Sequence, residues 1–277
     1  MIVQHNMTAL NANRQLGITN TNLSKSSEKL SSGYRVNRAA DDAAGLSISE
    51  KMRGQIRGLE QASTNAQDGV SLIQTAEGAM NEIHSVLQRM RELTVQASND
   101  TNVSADRKAI AKEVSALTQE IDRIASQTEF NTMKLLDGSF TGKGLQVGAN
   151  TSQIIKFGIS AMTAKGLGVT TATIAKVISS ATSYATVTVL ITTVNKAISK
   201  VSIARSALGA LQNRLEHTIA NADNMAENLQ SSESKIRDVD MADEMVSYSS
   251  RSILQQAGQS MLAQANQATQ GVLSLLQ

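Results

Sequence analysis

The sequence predicts a mainly α fold, with long antiparallel helices forming two rod-like coiled-coil or bundle domains and a small β-hairpin region mid-chain. Three observations predict it. Proline is absent from all 277 residues, so long helices can run without a kink. Aromatic residues make up 2% with no Trp, whereas a compact core of this length draws on large aromatic anchors. Apolar residues recur at alternating steps of three and four in several long stretches, the seam of a coiled coil.

The first helix is expected over roughly 3–32. Ile2, Ala9, Leu16, Leu23 and Leu30 recur every seven residues, with Val3, Leu10 and Gly17 beside them. The stripe is narrow and diluted by Asn, Ser and Thr, so this helix needs a partner helix. SSGYRVNRAADDAAG, residues 31–45, breaks the period and forms a joint. Gly33 suits a left-handed backbone after a helix. Asp41 or Asp42 can cap the next helix and complement its positive end.

A long helix follows over about 43–98, roughly 80 Å at the rise of an α-helix. Ile73, Ala76, Met80, Ile83, Leu87, Met90, Thr94 and Ala97 hold a strict heptad. A second stripe, Val86, Arg89, Leu93 and Gln96, lies about 100° round from Leu87, Met90 and Thr94. One face suffices to pack a helix, so the second points to a partner. Asn99 to Asn102 end the helix, and Ser104 can cap a shorter one over about 105–128, with Ile110, Val114, Leu117, Ile121 and Ile124 as its apolar face.

From 129 to about 185 the character changes. Within a β-hairpin region of about 139–160, Leu145 to Val147 and Ile154 to Phe157 flank Gly148 to Ser152 and read as the two strands. The Ala-, Thr- and Ser-rich residues that follow read as a linker or extended segment passing into helix. A second long helix is expected over about 187–237, with Leu208, Leu211, Leu215, Thr218, Ala222, Met225, Leu229, Ser232, Ile236 and Val239 on its seam. The step from Leu208 to Leu211 adds a stammer to the upstream positions Val194, Ile198, Val201 and Arg205. RDVDMADEM, 237–245, is a second joint. The last helix carries the stripe Leu254, Ala257, Met261, Ala265, Ala268, Val272 and Leu275. An apolar chain end of this kind should be buried against something.

The layout is nearly symmetric and folds back on itself. The expected domains are 1–42 with 238–277, and 43–237.

Composition excludes several classes. Net charge is +2 with the charges mixed, so no basic block tracks a phosphate backbone, and nucleic acid is not an expected partner. No run approaches 18 consecutive apolar residues, so membrane insertion is not expected. MIVQHNMTALNANRQLG lacks the basic and apolar regions of a cleavable signal, so export would use another route. Cysteine is absent, which removes thiolate chemistry and disulfides. His5, His84 and His217 have no metal-ligand spacing, and no phosphate-binding loop is present. Asp41 and Asp42 are adjacent, do not face each other on a helix, and read as caps. No catalytic residue and no cofactor are expected.

Several long motifs stand in a specific order: NANRQLG, LSSGYRVNRAADDAAGLSIS, GVSLIQTAEGAMNEIHSVLQRMRELTVQASND, EIDRIASQTEFNTMKLLDG, LGALQNRLEHTIANADNMAENLQSSESKIRDVDMADEM and QAGQSMLAQANQATQGVLSLLQ. Over roughly 1–140 and 190–277 the chain resembles bacterial flagellin, in a short form without large inserted surface domains.

The resemblance implies a structural subunit of the flagellar filament, extracellular, serving swimming motility. Its terminal helices would pair as an inner domain, and its long helices and hairpin would form an outer rod domain. Leu10, Leu16, Leu23, Leu254, Met261, Val272 and Leu275 would serve assembly. The subunit would leave unfolded through the flagellar export channel, and its terminal helices would fold on assembly. Implied partners are further copies of itself, an export chaperone, the filament cap, hook-associated junction proteins and the vertebrate Toll-like receptor for flagellin. By the same resemblance, Gln88, Arg89, Leu93, Gln96 and Glu113 would contact that receptor. O-linked glycans on the central Ser and Thr residues are a family feature left open here. Two alternatives remain at this point, a hook–filament junction protein and an intracellular coiled-coil scaffold. A metallopeptidase insertion, which some relatives carry, is set aside because no histidine lies between His84 and His217.

Overall fold

Gly33 ends the first helix as expected. Its φ of 75° is left-handed, and its N–H donates to the Lys29 carbonyl at 2.8 Å. The computed structural model describes residues 6–180 and 184–275, with side chains described at 6–180 and 187–268. Ile2, Val3 and His5 lie outside the described residues, as do the side chains of Val272 and Leu275.

Among the described residues the elements are α1 Met7–Ser32, α2 Ala43–Ala97, α3 Ser104–Gln127, β1 Glu129–Phe130, β2 Met133–Lys134, β3 Lys143–Gln146, β4 Ile154–Phe157, α4 Ala164–Leu167, α5 Ala175–Ser180, α6 Tyr184–Arg237 and α7 Met241–Leu275. Two compact units form: Met1–Ile56 with Glu227–Gln277, and Arg57–Ala226. The two joints, where the sequence reading put its boundaries, fall inside the first unit.

Caps fix the helix starts. Asp42 Oδ1 accepts from the Gly45 N–H at 2.8 Å and caps α2, while Asp41 Oδ2 accepts from the Arg38 and Asn37 N–H groups and braces the preceding turn. Those bonds, the Arg38 one foremost, hold the Asp41 carboxyl below its ordinary range. Ser104 is not the cap of α3. It is the first helical residue, and Asp106 reaches back instead, accepting from the Val103 N–H at 3.2 Å.

The second unit holds the main core. All eight heptad positions from Ile73 to Ala97 are fully buried. Ile110, Val114 and Ile121 of α3 are buried with them, and Leu117 and Ile124 are partly buried against the same cluster. On α6, Val187, Leu190, Val194, Ala197, Val201, Leu208, Leu211 and Leu215 complete the core. Arg205 stands in this seam and pairs with Glu77 of α2 at 3.5 Å, its stem covering apolar surface while the head finds a carboxylate. From Val187 on, α6 has the length and apolar composition to cross a membrane. Its seam positions Val187, Leu190, Val194, Ala197 and Val201 are buried in protein, whereas Val189 and Ile203 are exposed. The seam then weakens: Met225 is 47% exposed, contrary to the heptad reading.

Two antiparallel hairpins lie between α3 and α4. β1 and β2 are joined by Asn131 and Thr132, both at positive φ, the mirror-image turn that matches strand twist. β3 and β4 pair with Leu145 opposite Ile155 and Gln146 opposite Ile154, close to the expected hairpin. This hairpin lies on one face of α2. The Asn65 side chain donates to the Gln146 carbonyl at 3.2 Å. One turn-pair away, a Cβ at Gly58 would stand 2.8 Å from the Ala149 Cβ, so only glycine admits the loop so closely.

Residues 160–180 are not a linker. Met162, Ala164, Leu167, Val169, Ile174, Ala175 and Ile178 are buried in the core cluster. Thr163 caps α4 through the Gly166 N–H, and the Ala164 N–H donates to Asp122 of α3 at 2.8 Å.

Candidate assembly surface

In the first unit α1 and α7 pack together. From α1, Ala9, Ala12, Leu16, Thr19, Leu23, Ser26 and Leu30 are covered, a three–four seam containing the expected Leu16 and Leu23. Leu10 is not in it: at 65% exposure, it turns outward with Met7 and Ile18. Asn6 caps α1 by accepting from the Ala9 N–H at 3.0 Å, and its amide donates across to the Ala265 carbonyl at 2.9 Å.

The side of α7 turned towards α1 is polar and small. It presents Glu244, Ser247, Arg251, Gln255, Gly258 and Leu262, all partly covered. Arg251 donates to the Asn22 carbonyl at 3.0 Å and to the Ser26 hydroxyl. Gly258 stands against Leu16. The stripe read from the sequence lies elsewhere. Leu254 is 56% and Met261 59% exposed, with Val246, Ile253, Ala257 and Ala268 also exposed. The period of the stripe holds, but Leu254, Ala257, Met261 and Ala268 are exposed beside the side that α1 covers, and Ala265 is partly covered. An exposed apolar band of this kind marks an interaction surface.

The two joints grip each other. The Arg35 N–H donates to the Arg237 carbonyl at 2.7 Å, and the Val239 N–H donates to the Gly33 carbonyl at 3.0 Å. Arg237 Nη1 pairs with Glu50 at 2.9 Å, and the Arg35 guanidinium donates to the Ile236 carbonyl. Asp240 caps α7, accepting from the Ala242 N–H at 2.9 Å. Neither Asn6 nor the Arg237–Glu50 pair stands out in the sequence, because single capping and pairing residues leave no period.

Two family models match, the bacterial flagellin N-terminal helical region over residues 3–141 and the C-terminal helical region over residues 191–276. The chain belongs to the bacterial flagellin family. The flagellin of Halalkalibacterium halodurans is 54% identical over 276 residues, spanning all of both chains. The flagellar filament 33 kDa core protein of Treponema phagedenis is 51% identical over 286 residues, again spanning both. Among solved structures, a putative flagellar hook-associated protein from Vibrio parahaemolyticus is similar in fold alone, at 12% identity and a TM-score of 0.61 over 72% of this chain and 100% of that one.

This flagellin is a structural subunit of the bacterial flagellar filament, which lies outside the cell and is built by polymerisation of the subunit. Helical polymers use the same patches on every copy in contacts that do not close. The match to flagellins along the whole chain sets the junction-protein and scaffold alternatives aside.

The second face of α2 in this flagellin is more mixed than its spacing suggested. Arg89 is exposed, and its Nε and Nη2 both donate to Glu113 of α3, at 3.1 and 2.9 Å, while Nη1 donates to Glu92 at 3.0 Å. Glu92 first, then Glu113, raise the guanidinium's pKa above its ordinary value. Gln88 is half-buried beside His84, and Gln96 is exposed. Leu93 shares that side of the helix, but it is 1% exposed and belongs to the core, where a partner could not reach it without uncovering it. Val86 is partly buried against the same cluster. The structure thus joins Arg89 and Glu113, leaves Gln88 and Gln96 at the margins, and buries Leu93.

Proposed function

We propose that the subunit joins its filament through the outward apolar faces of α1 and α7, Met7, Leu10 and Ile18 on the one and Ile253, Leu254 and Met261 on the other. The single observation behind this reading is that α7 spends its polar side on α1 and leaves its apolar side bare. Leu16 and Leu23 act inside the pair, and Val272 and Leu275 continue the stripe in sequence. The seam within the pair is thin and mixes small, polar and a few Leu side chains, so the terminal helices gain their order from neighbouring subunits, folding as they bind. A chain with no Cys and with narrow helix-borne stripes also suits unfolded passage through the export channel, where an export chaperone guards the ends before the cap and junction proteins receive the subunit.

The test is seeded polymerisation of Leu254→Asp and Met261→Asp subunits. Each loses filament growth while its far-ultraviolet circular dichroism keeps the helical signal of the second unit. Filaments growing at the wild-type rate would sink the reading.

A second reading concerns the exposed ion pair of Arg89 and Glu113. It supports contact with the Toll-like receptor for flagellin through Arg89, Glu113, Gln88 and Gln96, with Leu93 beneath them as packing.

A further inference from the structure

With no Cys and no Trp, methionine is the most readily oxidised side chain in this flagellin. The eleven methionines are not placed alike. Met80, Met90 and Met162 are buried in the second unit's core. On the terminal helices, Met7, Met241, Met245 and Met261 are exposed at 64, 48, 51 and 59%. Met261 stands on the outward stripe of α7 beside Leu254 and Ala257. Met7 stands with Leu10 and Ile18 on the side of α1 away from α7.

We infer that Met7 and Met261 form an oxidation site through which hydrogen peroxide prevents a free subunit from joining a filament. The inference rests on the assembly stripe proposed above. In the step, a sulfur lone pair attacks one peroxide oxygen. The S–O bond forms as the O–O bond breaks, the thioether is oxidised by two electrons, and the departing hydroxide takes the remaining peroxide proton to leave as water. The product sulfoxide is polar and accepts hydrogen bonds strongly. Pressed against an apolar neighbour it would lose its water without gaining a donor. An already assembled subunit has these sulfurs covered, so the modification acts on the free chain.

The experiment uses full-length subunits and grown filaments. Monomer is treated with hydrogen peroxide, the peroxide is removed, sulfoxide at each methionine is measured by peptide mass spectrometry, and the protein is offered to filament seeds. Treated wild type is expected to extend seeds about tenfold more slowly or worse, and methionine sulfoxide reductases of both stereospecificities restore it. A subunit carrying M7L, M241L, M245L and M261L keeps apolar side chains of similar volume, and the ratio of its treated to its own untreated extension rate is expected to stay near one. Treated filaments carry less sulfoxide at Met7 and Met261 than treated monomer does. Normal extension by wild type oxidised at both sites overturns the inference, as does equal inhibition of the four-leucine subunit. An untreated Leu254→Asp control separates the two readings. If it extends normally, the stripe reading fails. If it fails while oxidised wild type extends, only the oxidation step is wrong.

Discussion

The Arg237 guanidinium lies over the ring of Tyr34, 4.7 Å from its centre, so the last residue of α6 is held by the second residue after α1. The same guanidinium reaches Glu50, and the backbone around it pairs with Arg35 and Val239. A mostly covered cation over a ring is stabilised by about 1–2 kcal/mol. Arg237→Ala is therefore expected to speed hydrogen exchange at the Arg35, Val36 and Val239 amides by about tenfold, leaving amides of the second unit's core unchanged. Unaltered exchange at the three joint amides would show that the backbone bonds hold the joint alone.

Acid should loosen the same joint. The bond from Arg237, above all, and the nearby Arg53 keep the Glu50 carboxyl below its ordinary range. A folded-state value lower than the unfolded one stabilises above the unfolded pKa, and this is lost as pH falls through the folded value. Joint protection should hold steady at neutral pH and decline below about pH 4. Asp41 is shifted in the same direction, so Glu50→Gln removes part of the dependence and not all of it. Exchange measured across a pH series checks this, and an identical acid profile in the variant would exclude Glu50.

Gly58→Leu should displace the β3–β4 hairpin from α2. Leucine favours helix over glycine by nearly 1 kcal/mol, yet here it would meet Ala149 main-chain and side-chain atoms. Overpacking of this kind costs about 1–3 kcal/mol, so the net effect is a lower unfolding midpoint by chemical denaturation. A raised midpoint would show that the hairpin yields freely.

Arg89→Ala is expected to weaken binding of the monomer to the Toll-like receptor for flagellin by about tenfold or more. Surface plasmon resonance with immobilised receptor ectodomain reads the change. Equal affinity of the variant and wild type would remove Arg89 from the contact.

Much of the helix architecture is legible because one stretch, Ile73 to Ala97, alternates three and four steps with apolar residues and one Thr, and every one of those positions is buried. The hairpin was legible from its turn residues. What spacing could not give was direction. Periodicity says that α7 has an apolar side, but not whether the chain itself or another copy covers it, and here Leu254 and Met261 face outward. Leu93 misled for a related reason. It shares a stripe with Arg89 and Gln96, but α2 is packed on more than one side, so its core extends beyond a single seam. Residues 160–180 resembled a linker through their Ala, Thr and Ser content. A few well-spaced residues, Leu167, Ile174 and Ile178 among them, suffice to anchor the segment.

If the exposed stripe of α7 seats neighbouring subunits, as proposed, it has a further consequence at filament ends. A subunit in the middle of a polymer is surrounded, whereas the outermost one has fewer neighbours and would keep some of its greasy side wet. Its attachment is weaker by whatever that wet area would have contributed. Loss of material should therefore start at the tips, and a capped tip should outlast a bare one of the same length.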